Sequence, residues 1–147
     1  MIISFFEEFP TGRNLSTLKF ISWPTKLYIA AESVPKFKKI VSKIKSKKVQ
    51  EYIYWPIHKR KEGYWISPFS ERKALLRIFK ELEGKNIPVM LDLELPTTQN
   101  LLLYITPSLH FWSNKRLIQT FIRNYQGNIY LAEYYPEGKR SEMMLKC

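Results

Sequence analysis

Five apolar runs rich in β-branched and aromatic residues alternate along this chain with stretches of helical periodicity. Short runs of this kind are typical of buried strands, whereas apolar residues three and four positions apart are typical of helices. Strands separated by helices predict a parallel sheet, because a parallel neighbour is reached through a crossover connection. The predicted strands are Ile2–Phe6, Lys26–Ala31, Glu51–Ile57, Pro88–Pro96 and Asn128–Tyr134.

The helices between these strands are marked by residues that favour helix ends. Pro35 suits the first turn of a helix, Ser70 is a candidate N-cap, and Gly84 is a candidate stop. The segment Thr97–Ile105 fits either a helix or a strand. The predicted helices lie around Asn14–Phe20, from Pro35 to Ile44, from Ser70 to Gly84, and from Asn114 to near Gly127.

Length and composition limit the class of protein. With 147 residues and no linker-like segment, the chain is expected to form one α/β domain, residues 1–147. Cys147 is the only cysteine, so no disulfide within the chain is possible and a reducing, cytoplasmic location is expected. No apolar run has membrane-spanning length, and Met1–Phe6 lacks the basic start of a signal peptide. We therefore expect no membrane partner.

Two architectures fit this order of elements. In a doubly wound, flavodoxin-like open sheet, helices cover both faces and the strands should be apolar on both sides. In a TIM-type (β/α) barrel, one strand face meets helices and the other faces the interior, with acids gathered at strand ends. The acids at strand ends here favour a partial TIM-barrel-like domain of about five strands. Since a complete barrel typically needs about 250 residues, the fold would be truncated, minimal, or completed by a second copy in a homo-oligomer.

The fourth predicted strand carries two acids near its end, Asp92 and Glu94. Strand alternation places both on the face of Met90, while the intervening leucines fill the other face. Two neighbouring carboxylates are costly to remove from water. We therefore expect a concave surface that water reaches, rather than a covering helix, to face Asp92 and Glu94.

The strand end Asp92-Leu93-Glu94 resembles the catalytic strand of barrel glycosidases, particularly the chitinase-like family and the lysozyme-like barrels. The chitinase-like motif has the form D-x-x-D-x-D-x-E and ends in the proton donor. The resemblance implies a carbohydrate substrate, with Glu94 as the acid and Asp92 as its orienting neighbour. The two earlier acids of the motif fall on Ile87 and Met90 in this chain.

Other strand ends offer residues that would complete a sugar site. Glycoside hydrolysis needs a protonated acid and a second group that stabilises positive charge on the sugar. Acids could supply that group and aromatic faces could contact sugar rings. Capping of the next helix or pairing with lysine is the structural alternative for the acids. The candidate residues are Glu7, Glu8, Glu32, Trp55, Tyr64, Trp65 and Glu133.

A metal-dependent barrel isomerase or endonuclease is a further alternative. His58 follows the third strand, and Glu94 and Glu133 end later strands. Two histidines in the whole chain are few for such a centre, and packing explains His110 in its aromatic surroundings. No glycine-rich phosphate loop is present either. The sequence therefore predicts no metal and no other cofactor.

The chain has a net charge of +11, and seven of its lysines lie within Lys36–Lys48. Its basic character is therefore concentrated in this one segment. These lysines surround the apolar helical stripe, so the helix would present a cationic outer face. Such a face can contact phosphates without reading sequence, which gives nucleic-acid or anionic-surface binding as the alternative function. A solvated helix with buried lysine stems is the structural alternative. The lysines are Lys36, Lys38, Lys39, Lys43, Lys45, Lys47 and Lys48.

Overall fold

The computed structural model describes residues 2–44, 46–59, 62, 66–94 and 109–134. The strands are β1 (Ile3–Glu7), β2 (Thr25–Ala31), β3 (Val49–Pro56), β4 (Val89–Glu94) and β5 (Ile129–Tyr134). The helices are α1 (Gly12–Thr17), α2 (Val34–Val41), α3 (Arg72–Leu82) and α4 (Leu109–Asn124), and a 3-10 turn, Leu18–Phe20, follows α1. None of these helices is both long and apolar enough to cross a membrane.

The five strands form one sheet in the order β1-β2-β3-β4-β5. Every neighbouring pair is parallel. A doubly wound sheet would place β1 between β2 and β3, and that strand order is not the one observed. The predicted α/β fold of about five parallel strands is confirmed, and each strand lies beside its predecessor as in a section of a barrel.

One face of the sheet packs against the helices. Alternate strand residues meet the apolar stripes of α2 and α3 and the buried Ile118 of α4. Full burial of a leucine or isoleucine side chain stabilises the fold by about 1.5–3 kcal/mol, so this layer supplies most of the hydrophobic driving force. The strand residues are Leu27, Ile29, Ala31, Tyr54, Val89, Leu91 and Leu93, and the helix residues include Val34, Phe37, Ile40, Leu75, Ile78, Phe79 and Leu82.

The opposite face carries a second apolar cluster that is built from the strands. Tyr28, Ala30, Ile53, Trp55 and Met90 form it, and Ile57, Tyr130 and Ala132 pack against it. No residue of the four described helices belongs to this cluster. In the part of the chain that the structure describes, helices therefore cover only one face of the sheet.

The sheet is curled, and a contact between distant strands shows it. The rings of Tyr28 on β2 and Tyr130 on β5 meet edge to face, with 5.7 Å between their centroids. In a flat sheet, strands three positions apart lie about 14 Å from each other, and their side chains stay parallel. The contact requires the face that carries both tyrosines to be concave. The sheet is thus a half-barrel, and Tyr28 and Tyr130 lie on its inner face.

The helix ends agree with the sequence at some positions and differ at others. Ser33 caps α2 by accepting a hydrogen bond from the Lys36 amide, and α2 begins at Val34, just before Pro35. Gly84 follows α3 with a φ of +67°, a conformation that glycine adopts without strain. The predicted cap Ser70 is wrong, because α3 begins at Arg72 and the Ser70 hydroxyl is held elsewhere. Helix α4 begins at Leu109, earlier than predicted.

Candidate functional site

Asp92 lies near the carboxyl end of β4, on the concave side of the sheet. It pairs with Ala132 of β5 and shares its strand face with Met90, and both of these residues belong to the concave cluster. Its side chain is partly exposed. In (β/α) barrels, the carboxyl ends of the strands are where active sites form. Asp92 was predicted to lie on a concave face, and the structure places it there.

The environment of Asp92 favours its protonated form. Burial raises the pKa of its carboxyl group to about 6, and the negative charge of Glu8 adds to the rise. Glu8 follows β1, which is separated from β4 by two strands, so its influence on Asp92 follows from the curl of the sheet. Within the described residues, neither a salt bridge nor a hydrogen bond neutralises the Asp92 carboxylate. The charge of Glu8 thus acts on Asp92, and both residues are strand-end acids of the prediction.

Other predicted acids are engaged elsewhere or lie at other register positions. Glu32 forms a salt bridge of 3.0 Å with Lys36, at the start of α2. Glu7 accepts a hydrogen bond from the Asn14 side chain at 3.3 Å. Glu133 pairs with Leu93, one position away from the pairing of Asp92 with Ala132. Glu94 ends β4, and its side chain and that of Glu133, together with the whole of Tyr64 and Trp65, lie outside the described residues.

Aromatic residues line the concave face, although not all in the way the sequence predicts. Trp55 is only 5% exposed and belongs to the floor of the face, so it offers little open surface. Phe6 of β1 is 58% exposed and stacks on Tyr28, with the ring centroids 4.5 Å apart and the planes at 15°. Phe6 lies on β1, two residues before Glu8, so the aromatic run of the first strand could have identified this open aromatic surface from the sequence.

The amino ends of the strands are closed by a polar cluster that sequence reasoning missed. The Lys26 ammonium forms a salt bridge of 2.9 Å with Glu51 and donates a hydrogen bond of 2.9 Å to the Tyr130 hydroxyl. The Tyr130 hydroxyl donates to Glu51 at 3.0 Å. The hydrogen bond to Tyr130, followed by that to Glu51, raises the pKa of Lys26. Because the three groups come from β2, β3 and β5, they tie the concave face together at the end remote from Asp92.

The loop after β3 is tied down beside the end of β4. Ile66 forms an isolated parallel bridge with Leu93, next to Asp92. The buried amide of Asn114 on α4 donates to the backbone carbonyls of Pro68 and Ser70, at 3.0 and 2.8 Å. These bonds fix the backbone of residues 66–70, which lie beside the end of β4, and a binding site requires such a fixed backbone.

His58, which the alternative of a metal-dependent barrel enzyme would use, is only 2% exposed, and its Nε2 lies 2.9 Å from the Ser70 hydroxyl oxygen. That oxygen also accepts a hydrogen bond from the Ser67 amide. Among the described residues, no three histidine, cysteine, aspartate or glutamate side chains cluster as a metal site would require. His58 thus orders the loop after β3, together with Ser70.

The fold defines a class of protein: an α/β half-barrel in which Asp92, near the carboxyl end of the sheet, has a pKa that burial and the charge of Glu8 raise. The chain matches no protein-family model, and comparisons with curated proteins and with solved structures yield no match either. Its function must therefore be inferred from the site.

Proposed function

We propose that this chain is a glycosidase-like domain whose concave face acts on carbohydrate, with Asp92 as the general acid and Glu8 as the second carboxylate. The observation that carries the proposal is the state of Asp92. It is a half-buried acid at a strand end whose pKa is raised to about 6 by burial and by Glu8. An acid of this kind still holds its proton in mildly acidic solution, where an ordinary aspartic acid has lost it.

The chemistry requires two carboxyl groups in different states. A protonated acid donates its proton to the leaving oxygen of the glycosidic bond, while a carboxylate stabilises the positive charge that develops on the sugar. Asp92 has the raised pKa of the first group, and the negative charge of Glu8 has the character of the second. A carboxyl group whose environment raises its pKa is suited to the role of the acid.

The surroundings of the pair suit a sugar ring. Phe6 presents an exposed aromatic face on the strand that precedes Glu8, and its stacking on Tyr28 fixes the orientation of the ring. Flat aromatic faces contact the apolar side of a sugar, and carboxylates accept hydrogen bonds from its hydroxyl groups. The resemblance of the strand end to barrel glycosidases agrees with this assignment but gave Glu94 the role of the acid. We assign the role to Asp92 because its pKa is raised, while the Glu94 side chain lies outside the described residues.

Aryl glycosides that differ in their leaving group test the two roles separately. With a 4-nitrophenyl glycoside panel, Asp92→Asn and Glu8→Gln should both lower kcat/KM by about 100-fold or more. With a dinitrophenyl glycoside, whose leaving group needs no proton, Asp92→Asn should retain most of its activity, whereas Glu8→Gln should not. Glu71→Gln changes an exposed acid at the start of α3 and serves as the matched control.

Binding and pH provide independent readouts of the same proposal. Hydrolysis by the wild-type chain should fall as the pH rises through about 6, because Asp92 then loses its proton. If the wild-type chain neither cleaves any glycoside nor binds oligosaccharides in a way that Asp92→Asn alters, the proposal is wrong. Activity that is equal in all three variants would likewise remove it.

A further inference from the structure

A basic surface on the convex side of the molecule is separate from the concave face. It consists of Lys38, Lys39, Lys43, Lys47 and Lys48, which are all exposed. Among the described residues none of these five forms a salt bridge, whereas the neighbouring Lys36 pairs with Glu32. Residues 34–49 contain no acidic residue. The positive charge of this lysine surface is thus uncompensated along its own segment.

The fold holds the lysine surface facing outward. Helix α2 buries Val34, Phe37 and Ile40 against the sheet, so its lysines occupy the remaining, solvent-facing arc. The turn after α2 is fastened at its end, because the Lys48 carbonyl accepts a hydrogen bond of 3.0 Å from the Thr25 amide. The Lys48 amide in turn donates to the Ser46 hydroxyl at 3.3 Å. The lysine surface is therefore carried by a helix and a turn that hydrogen bonds hold to the sheet.

The character of the lysine surface selects one kind of partner. A helix that binds a bilayer surface inserts apolar side chains between the lipids. The apolar residues Val34, Phe37 and Ile40 of α2 are buried in the core and Val41 is partly buried, so this helix presents little apolar surface for insertion. Nucleic acid needs none, because it carries one phosphate charge per about 1.7 Å of duplex and binds clustered lysines through release of its counterions.

We propose that the lysine surface binds the phosphate backbone of nucleic acid without reading its sequence. Lysines contact phosphates as point charges, and phosphate contacts carry no sequence information. Each phosphate that a lysine neutralises contributes about −0.9 to the slope of log K against log salt. Five contacts predict a slope of about −4 to −5. The proposal concerns a different face from Asp92 and does not rest on the function proposed for that residue.

Two charge-matched variants test the proposal. The surface variant K38Q/K39Q/K43Q/K47Q removes four charges from the lysine surface. The control variant K73Q/K80Q/R116Q/R123Q removes four charges from exposed positions on α3 and α4 and so lowers the net charge equally. Binding of a fluorescein-labelled duplex oligonucleotide of random sequence is followed by anisotropy at roughly 50 to 200 mM salt.

The surface variant should bind more than about tenfold more weakly at low salt, and its salt slope should shrink by about 3 to 4. The control variant should keep the wild-type slope within about one unit. The half-variants K38Q/K39Q and K43Q/K47Q should each reduce the slope by about half as much as the quadruple variant does, which keeps the test informative if the quadruple variant folds poorly. Equal losses in the surface and control variants would overturn the proposal. So would the absence of wild-type binding, or binding to phosphatidylserine vesicles but not to the duplex.

Discussion

Replacement of Asp92 by asparagine should make the folded chain more stable at pH 8 and leave its stability nearly unchanged at pH 4. Asparagine resembles the protonated aspartic acid in size and charge. The folded environment disfavours the ionised carboxylate, because burial and the charge of Glu8 raise its pKa from the ordinary 3.8 to about 6. The substitution therefore removes a destabilising charge only at pH values where Asp92 is ionised.

The sign and size follow from proton linkage. Between about pH 4 and 6 the native state holds a proton that the unfolded chain has released, so this contribution to stability is lost as the pH rises through about 6. A shift of about two pKa units corresponds to about 3 kcal/mol without solvent screening. Because the carboxyl group is only half buried, screening lowers the expected gain to about 1–2 kcal/mol in the free energy of unfolding. This gain corresponds to roughly 3–6 °C in Tm.

Urea unfolding of the wild type and of Asp92→Asn at pH 4 and pH 8 measures the difference directly. The titration can also be followed without unfolding, because Asp92 is the only aspartate of the chain. Aspartate labelled with carbon-13 at the side-chain carboxyl gives a single resonance, whose midpoint should lie near pH 6. In Glu8→Gln the midpoint should move to lower pH, since the second cause of the shift is gone.

A midpoint at or below pH 4 would refute the reasoning, and so would an Asp92→Asn variant that is no more stable at pH 8 than the wild type. Equal stabilisation at both pH values would also contradict it, because an effect of ionisation must vanish where the group is protonated. Glu71→Gln is the control for removal of an exposed acid and should change stability little at either pH.

Three further predictions concern the fold. Leu75→Ala should lower the free energy of unfolding by about 2–5 kcal/mol because Leu75 is fully buried, while the exposed neighbour Leu76→Ala should change it far less, as urea unfolding will measure. Tyr125→Phe should destabilise by about 1–3 kcal/mol, because the Tyr125 hydroxyl bonds both peptide groups of Ile87, accepting at 3.2 Å and donating at 2.6 Å; unchanged stability would contradict this. In the described sheet β1 is an edge strand, and its Phe5 is exposed. Phe5→Lys should therefore reduce any self-association that sedimentation detects. A wild-type chain that is monomeric would exclude the predicted homo-oligomer.

Alternation of side chains along a strand could be read correctly from the sequence. It placed Asp92 on the face of Met90, because the two-residue period of a strand is set by its own backbone. Gly84 marked the end of α3 for a similarly local reason, since its positive φ suits glycine. The local pattern gave wrong helix starts where a polar side chain makes a tertiary hydrogen bond. Ser70 bonds His58 and the Ser67 amide instead of capping α3, and Asn114 lies inside α4 with its amide on the loop after β3.

Only the tertiary structure decided which acid acts on Asp92. Glu8, Glu32 and Glu133 are equivalent candidates in the sequence, since each stands near a strand end. The curl of the sheet brings the charge of Glu8 to bear on Asp92, while Glu32 pairs with Lys36. The cluster of Lys26, Glu51 and Tyr130 depends on the same curl. The sequence by itself determined the elements and the faces of the strands, because those depend on neighbours along the chain. Which charges meet depended on how far the sheet bends, and that is decided by the packing of all the strands and helices together.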